Sequence, residues 1–125
     1  MAYEEATIAV TMVAGADLSG VANQYKFVKL NSTADQVVLA TAITDDVFGV
    51  LQDTPQLGEA CEVVIFGVTK VAAGATFNPG VVISTTAAGL AQTAVSTQQK
   101  LGKAIRGGAN GAITTMLFNP YGIVP

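Results

Sequence analysis

The side chains able to do chemistry are few, and their spacing does not suit it. The chain has no histidine, which removes Ser-His-Asp and Cys-His nucleophilic arrangements and the commonest transition-metal ligand. Its single cysteine, Cys61, cannot alone build a structural zinc site or an intrachain disulfide. It falls among valines and isoleucines, so a small buried core residue is expected, and one unpaired thiol fits a reducing compartment. Two adjacent carboxylate pairs are present, Glu4/Glu5 and Asp45/Asp46. Neighbours on an extended chain point to opposite faces, so neither pair is expected to converge as a general acid and base. Asp45, Asp46 and Asp53 lack the spacing of an EF-hand calcium loop. The run Gly107-Gly108-Ala109-Asn110-Gly111 has the glycine of a phosphate cradle, but no Lys-Ser/Thr or helix follows it, so it reads as a β-turn. Lys70 lies between two predicted strands without the tight turn tip and flanking residues of a biotinyl or lipoyl carrier. No catalytic residue, cofactor or metal ligand is expected.

What the sequence does specify is strands. The 125 residues fit one domain, half of them hydrophobic and only 12% charged, against about 25% in an average soluble domain. Val, Ile and Thr are abundant, as strands favour, and Gly and Pro recur often enough to interrupt any long helix. Residues 4–13 alternate, with Ala6, Ile8, Val10 and Met12 on one side and Thr7, Ala9 and Thr11 on the other. A turn-rich stretch over 14–20 follows, so residues 1–15 read either as an extended arm or as a first strand, and 16–125 as a single β domain. Residues 25–30 and 36–41 form a predicted hairpin about a 31–35 turn. Strands are predicted at 48–52 and, after the Pro55/Gly58 turn, at 61–66. Gly67 is read as a break, and further short strands follow at 69–73, 81–85, 90–93, 101–106 and 113–118. Residues 94–101 read as a loop or a single helical turn, and 119–125 as a tail that is mobile or docked. The spacing matches an all-β fold, a small barrel or sandwich of short antiparallel strands with an extended N-terminal arm.

Two features point to association. In 61–66, Cys61, Val63 and Ile65 occupy one face while Val64 and Phe66 occupy the other, and 113–118 is likewise apolar on both faces. An exposed antiparallel sheet should be polar on one side, so the second face is expected to meet another layer or another subunit. Charge is also split. All nine acids lie in residues 1–62 against Lys26 and Lys29, leaving that part at −7, whereas Lys70, Lys100, Lys103 and Arg106 stand unopposed in the rest at +4. Such halves suit a head-to-tail ring. Val64, Phe66, Lys103 and Arg106 are therefore the candidate subunit-interface residues. With a net charge of −3 and no basic stripe, no nucleic-acid partner is expected. Residues 71–99 are free of ionisable groups, but Asn78, Pro79 and three glycines argue against a spanning helix, so no membrane partner is expected either. The acidic opening does not resemble a signal peptide.

Gly49-Val50-Leu51-Gln52, Pro55, Gly58-Glu59-Ala60 and Gly67-Val68-Thr69-Lys70-Val71-Ala72-Ala73-Gly74, taken in order, resemble the central signature of capsid decoration (cement) proteins of tailed bacteriophages. Phe77-Asn78-Pro79-Gly80-Val81 through Gly89-Leu90-Ala91 is similar to a following element of such proteins, although Val81 stands where an acid is usual. The ending from Leu101 to Phe118 completes a resemblance over roughly residues 20–118. It implies a non-enzymatic virion protein, made in the bacterial host cytoplasm, that binds the outer capsid surface as a homotrimer and stabilises junctions between major capsid protein subunits. It implies no small-molecule substrate. On that reading Ala6, Ile8, Val10 and Met12 are the candidate capsid-contact arm. The alternatives are another phage virion part, such as a head fibre base or a tail or baseplate subunit, and a small β-barrel ligand-binding module. Exposed aromatics would favour the last, but the three Tyr and five Phe are dispersed.

Overall fold

The computed structural model describes residues 7–125. Among these, the alternating β-branched segments form nine strands: β1 (Ile8–Ala14), β2 (Phe27–Leu30), β3 (Gln36–Leu39), β4 (Gly49–Leu51), β5 (Ala60–Ala72), β6 (Val82–Thr85), β7 (Ala91–Thr93), β8 (Gly102–Ala104) and β9 (Ile113–Phe118). One 3-10 turn at Val21–Asn23 precedes β2. The fold is all-β, as expected.

Five strands, in the order β1-β3-β2-β4-β5, close into a barrel because β1 pairs back onto β5. Val10 lies opposite Val63 and Met12 opposite Cys61 across that antiparallel seam. The other side of β1 pairs in parallel with β3, Val13 opposite Gln36 and Ala14 opposite Val37. Closure leaves this part of the sheet without an edge. Of the two placements open for residues 1–15, residues 8–14 take that of a barrel strand. The physical reason is the alternation itself: Val10 and Met12 pack against the barrel core. Ala6 lies outside the described residues.

β5 carries the connection to the rest. Over 60–66 it belongs to the barrel, pairing with β1 and β4; over 67–72 it pairs with β9, from Gly67 opposite Phe118 to Ala72 opposite Ile113. The expected break at Gly67 does not occur. Gly67 instead takes a φ of 117°, a conformation open to a residue without Cβ, and the strand passes unbroken into a second sheet ordered β5-β9-β8-β6-β7. The edge strand β7 returns to the end of β5 through a bridge between Ala73 and Ala91.

Two apolar cores result. The barrel encloses Val28, Val37, Leu51, Cys61 and Val63, with Ala14 and Leu18 at one end. The second core gathers Phe27, Val50, Val71, Ile83, Leu101, Met116 and Phe118, with the Phe27 and Phe118 rings 6.2 Å apart at 33°. Consecutive residues on β2 and β4 split between them: Val28 and Leu51 face the barrel interior, Phe27 and Val50 the second core. These strands are thus buried on both faces by the chain itself, and each large side chain so buried contributes about 1.5–3 kcal/mol.

The 94–101 segment is a loop held from within. Gln98 is 3% exposed, and its Oε1 accepts hydrogen bonds from Ser84 Oγ at 2.8 Å and the Val95 N–H at 2.9 Å. The C-terminal tail docks beside it: Thr97 N–H donates to the Val124 carbonyl at 2.7 Å, Val124 N–H to Gln98 at 2.8 Å and Lys100 N–H to Gly122 at 2.7 Å.

Candidate interaction surface

The reactive groups are separated, and the adjacent Asp45 and Asp46 carboxylates are each occupied by different partners. Asp45 Oδ2 accepts hydrogen bonds from the Thr41 and Ala42 N–H groups at 2.7 and 2.9 Å and pairs with Lys29 Nζ at 3.0 Å. Burial works to raise its pKa, but those donors together outweigh it and hold the carboxyl below the ordinary aspartate value. Its neighbour Asp46 turns elsewhere and accepts from Gln99 Nε2 at 3.1 Å. Cys61 is buried; desolvation first, and the nearby Asp53 charge second, push its thiol pKa up. Asp53 Oδ2 accepts from the Glu62 N–H at 3.3 Å, while its buried Oδ1 has no hydrogen-bond partner among the described residues. Among the described residues no three His, Cys, Asp or Glu side chains gather where a metal ion could be held. The 107–111 loop turns on itself, Ala112 N–H donating to the Ala109 carbonyl at 2.9 Å. Lys70 stretches over the Tyr25 ring, its Nζ 5.8 Å from the centroid.

A different kind of site appears on the outer face of the second sheet. Cross-strand partners share a face, and the register sets Val68 opposite Leu117 and Leu117 opposite Lys103. Phe66 lies two residues along β5 from Val68, and Ile8 of β1 pairs with it. Phe66, Ile8 and Leu117 are 43%, 56% and 36% exposed. Beside this row lies a hollow of about 380 Å³ lined by Gly102, Lys103, Leu117, Asn119 and Tyr121. Lys100 Nζ stands 5.2 Å from the centroid of the Tyr121 ring. The surface is therefore apolar at its centre and cationic at its rim. It can bind by shape and by burial of apolar area.

Of the four residues expected at a subunit interface, Phe66 and Lys103 fall on this face. Arg106 is exposed beyond the end of β8, its N–H donating to Thr115 at 3.2 Å. Val64 is corrected. It is 5% exposed within the single chain, because β4 and β1 flank it, at Val50 and Ala9 respectively. Leu117 and Tyr121 were not foreseen as surface residues. The two-faced apolar pattern of 113–118 was the available signal for Leu117; nothing local marks Tyr121, whose place depends on the docking of the tail.

No protein-family model matches the chain, and no curated protein matches it by sequence. A solved structure does match: the head fiber gp8.5 N base of bacteriophage phi29, at 17% identity and a TM-score of 0.71. The superposition covers 90% of this chain and 94% of that one, so the two share one fold over nearly their entire lengths.

Proposed function

We propose that this chain is a non-enzymatic structural component of a phage head, a self-associating module that seats on the outer capsid surface in the manner of a head fibre base. The observation that carries the reading is the fold shared with the phi29 head fiber base over 90% of the chain. The dispersed, internally bonded carboxylates and the buried thiol accord with a role in binding. A trimer touching several capsomers at once holds by avidity even where each contact is modest, and a single standard interface buries about 1,600 Å² in total.

A second reading, a decoration protein that locks junctions between major capsid protein subunits, is favoured by the ordered glycine- and valine-rich segments from Gly49 to Phe118. One experiment addresses both. Purified protein is mixed with shells of its own phage lacking it, and binding is followed by co-sedimentation and shell melting. Saturable co-sedimentation is the expected result. A raised shell-disruption temperature favours the decoration role, and an unchanged one the fibre-base role. Failure to co-sediment at any ratio overturns both.

A further inference from the structure

The exposed sheet face and the charge split of the chain fit each other across copies. Lys100 and Lys103 border the hollow beside Leu117 and Tyr121, and residues 63–125 contain no acid to balance them. At the far end of the barrel the turn between β4 and β5 presents the opposite pattern. Leu57 is 66% exposed at its tip; Glu59 at the end of the turn and Glu62 at the start of β5 are exposed as well. The turn is locally fixed, Gln56 N–H donating to Glu59 Oε1 at 2.7 Å and Glu59 N–H to the Gln56 carbonyl at 3.0 Å. Leu57 is thus presented on a preformed projection, which lowers the ordering cost of binding.

We propose that the occupant of the hollow is a second copy of this chain, whose Leu57 enters between Leu117 and Tyr121 while Glu59 and Glu62 approach Lys103 and Lys100. The proposal rests on the self-association put forward above and assigns its surfaces. Charge complementarity selects a like chain: the barrel that must approach a cationic, apolar face is acidic and bears an exposed leucine. The two surfaces differ, so the contact is heterologous, and copies joined this way propagate head to tail until a ring closes. Charged rims of this kind steer encounter and fix register more than they add affinity, so the apolar insertion supplies the holding energy.

The test uses two variants, Leu57→Cys and Leu117→Cys, each in the full chain. Each is made separately, and they are mixed under mild oxidation; buried Cys61 stays out of reach. A disulfide-linked pair forming between the two variants, and not within either alone, is the expected result. Lys103→Glu, on an exposed side chain, sets like charge against Glu59 and Glu62, and that repulsion is expected to raise the apparent dissociation constant at least about tenfold with an unchanged circular dichroism spectrum. If the native protein associates in light scattering but the mixed disulfide does not form, the Leu57–hollow contact is wrong and self-association stands. If the native protein remains a monomer at all concentrations, both fail together. Disulfides within the Leu57→Cys sample alone, equal in yield to the mixture, would indicate a two-fold contact and overturn the head-to-tail arrangement.

Discussion

Asp45 shows how a residue that looks reactive in the sequence becomes structural in the fold. Its carboxylate closes the 41–45 turn by accepting from two backbone N–H groups, and it anchors Lys29 of β2. Burial opposes the charge and the three donors overcome it, so the folded-state pKa lies below the unfolded one. A lowered carboxylate pKa means that the unfolded chain binds the proton more readily. The stabilisation is therefore complete above the ordinary aspartate value of 3.8 and is lost as pH falls through the folded value. Asp45→Ala is expected to cost about 1–3 kcal/mol near neutral pH and progressively less in acid. Urea melts of both proteins across that range check this, and an equal loss at every pH would contradict it. The isolation of this carboxylate from Asp46 was legible in the sequence, because adjacent extended residues diverge. Its role as a turn anchor was not, since that depends on Lys29 arriving from another strand.

At the scale of elements, strand positions were legible wherever polar and apolar residues alternate or Gly and Pro punctuate. The pairings that make the barrel were not. β1 meets β3 in parallel across more than twenty residues of sequence and meets β5 across some fifty, and no local pattern records such long-range choices. Gly67 misled for a related reason: locally a glycine reads as a break, whereas here it lets one strand serve two sheets. Gly102 has a sharper requirement. Its φ is 141°, and a Cβ there would overlap the Leu117 carbonyl where β8 meets β9. Gly102→Ala combines backbone strain of about 1–3 kcal/mol with that overlap. It is expected to lower stability by at least about 2 kcal/mol and to loosen the β8–β9 ladder, speeding amide exchange at Ile105 and Asn119, whose N–H groups donate across it to Thr115 and Leu101. A variant with native stability would show that the two strands can separate without cost.

The whole molecule joins these scales through β5. The charge asymmetry visible in the sequence maps onto the structure because the barrel is built from residues before Gly67 and most of the second sheet from residues after it. Separate charges do not make separate domains, however. Phe27 and Val50 project from barrel strands into the second core, and Phe27 meets Phe118 there. Neither core can open without exposing strands that the other also buries, so the chain should unfold in one step. Leu51→Ala empties part of the barrel core and is expected to cost about 2–5 kcal/mol; Phe118→Ala empties part of the second and should cost about 3–5 kcal/mol. Both variants should give a single denaturant transition, with far-ultraviolet circular dichroism and tyrosine fluorescence coincident. Hydrogen exchange read at Val63 in the barrel and Ile83 in the second sheet should accelerate together in either variant. A Phe118→Ala protein that retains protection at Val63 while losing it at Ile83 would mean that the barrel stands alone, and that β5 links two independent folding units rather than fusing them into one.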